Sequence, residues 1–267
     1  YALNFNGHYE FTPQLDAFWE TKYVYHEVDF GGGGFNFTDL LYGAPDNPFL
    51  PEALAPFANN GGVGFVGPGG LYMSRDSDDW GDNTSTSERT TYRVVAGIRG
   101  DFDDVGINYE VSANHGKFQR DLIDRNDMIA DRFFAAIDAV TDPATGQPVC
   151  RSDLDPTAFP RTTPFNIFPF VGGGNPAPFF TFSPGDGQCA PMNIWGGRGA
   201  MSQESIDFVT RTRRLDEEIE QNVFTAIVSG DTERFFSLPG GAVGFALGFE
   251  YREEKTAQNF DEFDRGI

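Results

Sequence analysis

The chain has 267 residues, of which 39% are hydrophobic and 15% aromatic, so it contains enough apolar material to form a core or to coat a surface. Its 32 Gly and 17 Pro residues argue against an all-helical protein, because both residues break helices and populate turns. A formal net charge of −21 argues against a nucleic-acid partner, because a polyanion repels the phosphate backbone.

Two alternating stretches open the chain. In LNFNGHYEF (3–11) most odd positions are apolar or aromatic and the even positions are polar, and LDAFWETKYVYH (15–26) resumes this alternation after a short turn. A period of two residues over this length is typical of a strand with one apolar face. The pattern predicts strands near 2–12 and 15–28 that form a hairpin.

A long stretch without periodicity covers residues 30–88, and alternation then returns. TYRVVAGIRGDF (91–102) and INYEVSAN (107–114) each have an apolar parity and a polar parity, and a short turn separates them. They predict a second hairpin with strands near 89–101 and 106–118.

A second long stretch, near 119–219, contains two helix candidates. NDMIADRFFAAIDAV (126–140) has apolar residues near helical spacing, and SQESIDFVT (202–210) begins with Ser202, a favourable N-cap. Beyond this stretch, QNVFTAIVSG (221–230) is apolar on both faces, whereas VGFALGFEYRE (243–253) alternates. They predict a third hairpin with strands near 220–230 and 241–254.

The order of short and long connections predicts the fold class. Six strands joined short, long, short, long, short are typical of outer-membrane proteins, which have short turns at one rim and long loops at the other. We therefore expect an all-β, antiparallel, up-and-down transmembrane β-barrel segment with three hairpins. Spanning strands need about 9–11 residues, which these stretches supply. A soluble β-sandwich, with its apolar face turned inward, gives the same alternation and remains the alternative.

Cys150 and Cys189 are the two cysteines of the chain, and neither belongs to a C-x-x-C pattern or has a histidine nearby in the sequence. A pair of this kind is typical of a disulfide in an oxidising compartment, and two buried free thiols are the alternative. The three histidines, His8, His26 and His115, are expected on polar strand faces that point into the barrel lumen.

The long loops contain two candidate binding features. Asp76, Asp78 and Asp82 in DSDDWGDN (76–83) supply hard oxygen ligands that suit calcium, but Trp80 stands where the EF-hand spacing requires an oxygen ligand. A solvated acidic loop is the alternative. Tyr72, Trp80 and Trp195 are candidate ligand-contacting aromatics, and packing of the loops against one another is their alternative role.

Catalysis has no support in the sequence. There is no G-x-S-x-G nucleophile motif, and the many carboxylates single out no acid–base pair. We therefore expect no enzyme activity.

Four stretches of the chain resemble the barrel portion of TonB-dependent receptors of the Gram-negative outer membrane. They are DNPFLP (46–51), AAIDAVTDPATGQPVCRSDL (135–154), SQESIDFVT (202–210) and EQNVFTAIVSGDTERFFSLPGGAVGFALGFEYREE (220–254). The resemblance implies one partial barrel domain over 1–267, inserted in the lipid of the cell outer membrane with its long loops extracellular.

The resemblance also implies the function and the partners. Receptors of this family import scarce nutrients, such as a siderophore or a saccharide, with energy transduced by TonB through a plug domain. The chain shows neither a plug nor a TonB box, so we expect an internal piece whose remaining strands belong to a longer parent chain. A soluble extracellular all-β binding or adhesion module is the alternative function.

Overall fold

The structure is a computed structural model that describes residues 1–12, 14–32, 35–60, 70–157 and 181–266. Antiparallel β-structure dominates these residues, and short helices occur only in the two segments expected to be long loops. The strands are β1 (Ala2–Thr12), β2 (Leu15–Gly31), β3 (Phe35–Gly43), β4 (Leu71–Ser77), β5 (Thr84–Phe102), β6 (Ile107–Met128), β7 (Ala139–Thr141), β8 (Pro148–Cys150), β9 (Thr210–Asp231) and β10 (Gly244–Phe260). The helices are α1 (Ala55–Asn60), α2 (Ala130–Ile137), α3 (Arg151–Leu154) and α4 (Gln203–Val209). No helix in the described ranges has both the length and the apolar character needed to cross a membrane.

The six strands that the sequence predicts form one sheet in the order β1-β2-β5-β6-β9-β10. The β1–β2 and β9–β10 pairs are antiparallel, with Leu3 opposite Tyr23 and Leu247 opposite Val228. Because β1 and β10 each have one neighbour, the sheet is open and is not closed into a barrel. The all-β expectation is confirmed, whereas a closed barrel is absent from the described residues.

The strands extend beyond the apolar alternation at the end where the long segments begin. Residues 119–128 and 210–219, which we expected to be loop, belong to β6 and β9. Cross-strand ion pairs stabilise this part: Arg120 Nη1 lies 2.9 Å from Glu217 Oε2, and Lys117 Nζ lies 2.7 Å from Glu218 Oε1. Charge pairing across strands can therefore continue a ladder where hydrophobic periodicity ends.

The chain divides into two compact units, whereas the sequence led us to expect one domain over 1–267. The strand unit comprises Tyr1–Asp29, Thr86–Ile123 and Arg214–Ile267, and the loop unit comprises Phe30–Ser85 and Asp124–Arg213. The two expected loops, 30–88 and 119–219, supply the loop unit and contain strands and helices of their own. Their residues 61–69 and 158–180 lie outside the described residues.

The loop unit has its own hydrophobic core, built around α2. Phe133, Ile137, Met192 and Val209 are almost completely buried in it. The apolar side of α2 forms because Phe133, Phe134 and Ile137 recur at helical spacing. Ser202 caps α4 as expected, since its side-chain oxygen accepts a hydrogen bond of 3.1 Å from the backbone N–H of Ser205.

The strand unit lacks a comparable core. Among its described residues, Val95 and Leu215 are the hydrophobic side chains that are buried, whereas many large apolar side chains of the same strands are exposed. A soluble sandwich would bury those side chains between two layers.

Candidate functional site

One face of the strand unit carries many exposed apolar side chains, which we call the apolar band. The antiparallel registers place alternate residues of neighbouring strands on this face, for example Phe5 opposite Thr21 and Tyr251 opposite Phe224. Phe5 is 65% exposed and Leu247 is 75% exposed. The band consists of Leu3, Phe5, Tyr9, Phe11, Trp19, Val94, Ile98, Phe102, Phe224, Val228, Phe245, Leu247, Phe249 and Tyr251.

The size of the apolar band fits a bilayer. On β1 the band runs from Leu3 to Phe11, about 9 residues, which is about 30 Å along a strand and about 23 Å at a tilt of about 40°. Outer-membrane barrels carry an outward apolar band about 25 Å tall. Soluble monomers rarely expose a contiguous apolar patch larger than a few hundred Å². The band therefore has the properties of a lipid-facing surface.

The same face becomes polar beyond the band. His115 Nδ1 lies 2.7 Å from Asn222 Oδ1, and farther along β6 Lys117 pairs with Glu218. Tyr92 marks the boundary, with its ring 5.9 Å from the ring of His115. His115 therefore lies on the face of the apolar band and not on the lumen face that we expected, because the band ends just before it.

The opposite face of the sheet is charged. Asp16 accepts a hydrogen bond of 2.9 Å from Arg99 Nε, and its other oxygen lies 3.1 Å from His8 Nδ1. The Arg99 guanidinium also lies 5.3 Å from the centre of the Phe18 ring, which is on the same face. The sheet therefore has one apolar face and one charged face.

A cavity of about 530 Å³ lies on this charged face near the short turns. Glu10, Asp101 and Glu110 contribute carboxylates that have no hydrogen-bond or ion-pair partner among the described residues. The cavity surface is therefore negative and suits a cationic or strongly polar partner. Its lining comprises His8, Glu10, Asp16, Arg99, Gly100, Asp101, Asn108, Tyr109, Glu110, Ile227 and Ser229.

The three candidate ligand-contacting aromatics belong to the loop unit and are packed within it. Trp80 is only 4% exposed, with its ring 5.5 Å from that of Phe133. The Tyr72 ring lies 5.4 Å from that of Tyr42, and burial raises the pKa of the Tyr72 hydroxyl. Trp195 packs against the core cluster. These contacts are those of loop packing, and a role of the three side chains in ligand contact stays a prediction.

An arginine on β4 binds the segment 194–199, which contains Trp195. Arg75 donates to the backbone oxygens of Ile194 (3.1 Å) and Gly197 (3.3 Å), and it pairs with Asp79 at 2.8 Å. Asp79 in turn accepts a hydrogen bond of 2.8 Å from the backbone N–H of Gly199. The Arg75–Asp79 pair therefore holds the segment 194–199 against β4.

The candidate calcium ligands do not converge in the structure. Asp78 forms an ion pair with Arg198 at 3.0 Å, Asp76 lies opposite Asn36 in the β3–β4 ladder, and the backbone oxygen of Asp82 accepts from Asn126 Nδ2 at 2.8 Å. Nowhere in the described ranges do three or more His, Cys, Asp or Glu side chains form a group able to hold a metal ion. Calcium binding stays a prediction.

The predicted disulfide between Cys150 and Cys189 is present, and both cysteines are buried. Beside it, Arg151 binds Asp46 with two hydrogen bonds of 2.9 and 2.7 Å and approaches Asp138 Oδ1 at 3.2 Å. Asp153 follows on α3, where burial raises the pKa of its carboxyl although the backbone N–H groups of Gly187 and Gly185 donate to it. The disulfide and these polar contacts join segments that are distant in the sequence.

Sequence reasoning missed the Arg151 cluster and the cavity. Arg151 directly follows Cys150, and Asp46 opens the DNPFLP stretch, but no periodicity connects residues 105 positions apart. The cavity could have been predicted from the sequence. Glu10, Asp101 and Glu110 all lie on the polar side of the alternation in their strands, near the short turns.

No protein-family model and no curated protein matches this chain. Among solved structures, the chain is similar to the crystal structure of BauA, the ferric preacinetobactin receptor from Acinetobacter baumannii. The superposition has a TM-score of 0.37 at 11% sequence identity, and it covers 98% of this chain and 25% of that chain. The chain thus spans about a quarter of the length of that receptor, and a similarity of this size assigns neither a family nor a function.

Proposed function

We propose that the chain is part of an outer-membrane transport receptor of the TonB-dependent kind and supplies barrel wall and extracellular loops. The observation that carries this proposal is the apolar band, whose side chains are exposed on one face of a sheet that is charged on the other. In water such a face is costly, at about 25 cal/mol for each Å² of apolar surface left exposed. In a bilayer the same face contacts hydrocarbon.

The contrast between the two units supports a wall rather than a sandwich. The loop unit buries its large apolar residues in a core, whereas the strand unit keeps them exposed. Large apolar side chains are therefore buried in one unit and exposed in the other. This difference is expected if the strand unit contacts lipid and the loop unit contacts water. The charged face, with the Asp16–Arg99 pair and the cavity, would line a water-filled lumen.

The loop unit suits the extracellular side. A buried disulfide persists in an oxidising compartment, which agrees with a position outside the cytoplasm. The proposal gives the two long segments, which connect the hairpins, the role of capturing a small nutrient. The proposal assigns transfer through the membrane to the complete parent protein, with a plug domain and TonB as partners outside this chain.

Cell fractionation tests this proposal with the protein as its gene encodes it. We expect it in the outer-membrane fraction, resistant to urea and alkaline carbonate and released by detergent. Deletion of its gene and deletion of the gene for TonB should then abolish uptake of the same nutrient. Recovery in the periplasmic or secreted soluble fraction would refute the proposal and favour a soluble binding module.

A further inference from the structure

The link between β9 and β10 presents large apolar side chains to solvent. Phe235, Phe236 and Leu238 are 68%, 55% and 55% exposed. The stretch FFSLPGGAV (235–243) contains no charged residue, although 22% of the chain is charged. Exposed apolar clusters of this kind mark contact with a partner or a membrane.

The backbone of the link is fixed by hydrogen bonds that leave these side chains outside. The N–H groups of Phe235 and Phe236 both donate to the oxygen of Thr232, at 2.9 and 2.8 Å. Leu238 and Gly241 exchange two hydrogen bonds of 2.9 Å, and Gly241 takes a φ of +117°, which favours glycine. The turn therefore holds its apolar side chains at the surface rather than folding them inward.

The link continues the apolar band beyond its end on β9. On β9 the band extends only from Phe224 to Val228, about 5 residues and about 17 Å along the strand. A spanning strand needs about 9–11 residues. Val243, which is exposed and two residues before Phe245, connects the band to the link, since the Thr232 N–H donates to the Val243 oxygen at 3.0 Å.

We propose that the β9–β10 link is an interfacial anchor that inserts Phe235, Phe236 and Leu238 into the headgroup–acyl boundary of the leaflet next to the short turns. This inference rests on the proposed function, because it requires that the apolar band spans a bilayer. Apolar side chains at such a boundary bind by burial of their surface, and the anchor would complete the lipid-facing surface beside β9.

The chemistry of the link favours lipid over a protein partner. Its charged residues between Thr232 and Val243 are Glu233 and Arg234, whose charges cancel, so the link has no net charge to select a protein surface. The link is continuous with the apolar band, and this continuity favours lipid as its partner. By contrast, Asp103 and Asp104 make the turn between β5 and β6 acidic at the same end of the sheet.

Depth-dependent quenching tests the anchor. The two cysteines of this chain form the disulfide. Single cysteines can therefore be labelled once any cysteine elsewhere in the full-length protein is replaced by serine. Phe235→Cys and Phe236→Cys report on the link, Leu247→Cys on the apolar band, and Asp104→Cys on the acidic turn. Each labelled variant of the full-length protein is reconstituted in phosphatidylethanolamine–phosphatidylglycerol vesicles with an environment-sensitive fluorophore.

We expect brominated acyl chains to quench the probes at 247, 235 and 236, while aqueous iodide quenches the probe at 104. If the probe at 247 is quenched by lipid but those at 235 and 236 respond like that at 104, the anchor is refuted and the proposed function stands. The anchor is also refuted if the link probes are shielded from both quenchers, since protein then covers them. If the probe at 247 escapes lipid quenching, the proposed function itself fails.

Discussion

Trp195 lies directly against Gly43 at the end of β3. A Cβ atom at Gly43 would occupy the space of the Trp195 ring atoms Cζ2 and Cε2. Gly43 pairs with Leu71 in the β3–β4 ladder, so the absence of a side chain there lets the indole reach the strand backbone. This contact joins the segment 194–199 to β3, and the hydrogen bonds of Arg75 join the same segment to β4.

Gly43→Ala should therefore destabilise the loop unit by about 1–3 kcal/mol, because the added methyl group must displace the indole. Thermal unfolding of the detergent-solubilised protein measures the effect. Gly31→Ala is the matched control, since a Cβ there meets nothing within 4 Å. Equal unfolding temperatures for the two variants would show that the Trp195–Gly43 contact contributes no stability.

Arg151→Met should cost about 3 kcal/mol, because it removes the Arg151 guanidinium from the Asp138 carboxylate, whose side chain is only 3% exposed. Arg198→Met provides the comparison. Its ion pair with Asp78 is exposed, and such pairs contribute less than about 1 kcal/mol. Chemical denaturation of both variants measures the difference, and an Arg151→Met variant no less stable than Arg198→Met would contradict the assignment.

Replacement of both Cys150 and Cys189 by Ala should lower stability by about 4 kcal/mol, because the disulfide spans a sequence separation of 39 residues and restricts the unfolded chain. Reductant should lower the unfolding temperature of the native protein and leave that of the double variant unchanged. An unfolding temperature of the native protein that does not respond to reductant would argue against a stabilising disulfide.

Asp153 should make stability fall as pH rises. Burial raises the pKa of its carboxyl in the folded protein, so the folded state binds its proton more tightly than the unfolded state does. The resulting loss of stability begins near the unfolded pKa of about 4 and is complete above the folded pKa. Asp153→Asn should remove this dependence and gain relative stability from pH 4 to pH 7, as thermal unfolding at the two pH values would show. An unchanged pH dependence would refute the assignment.

Local signals of the sequence predicted much of this fold. The period-two alternation predicts five of the six strands of the sheet, an apolar run predicts β9, and Ser202 predicts the start of α4. Each of these signals depends on residues close together in the chain. The contacts between distant segments of the loop unit have no such signal. Arg75 and Ile194 are 119 residues apart, and their contact depends on the folding of everything between them.

For His115, the residue type and the position in the strand predict different faces of the sheet. A histidine suggests a polar face, yet its position in β6 puts it on the face of the apolar band, just past the end of that band. The position where the apolar band ends depends on the neighbouring strands, here on Tyr92 and Asn222. A single strand sequence does not contain that information.

Membrane assembly of two neighbouring arginine variants tests the lipid-facing assignment most directly. Leu247 and Ala246 are adjacent and exposed on β10, but Leu247 belongs to the apolar band, whereas Ala246 lies opposite Ser229 on the charged face. We predict that Leu247→Arg costs about 2–4 kcal/mol of membrane insertion and that Ala246→Arg assembles like the native protein in the outer-membrane fraction. Equal assembly of both variants, or a larger loss for Ala246→Arg, would contradict the account.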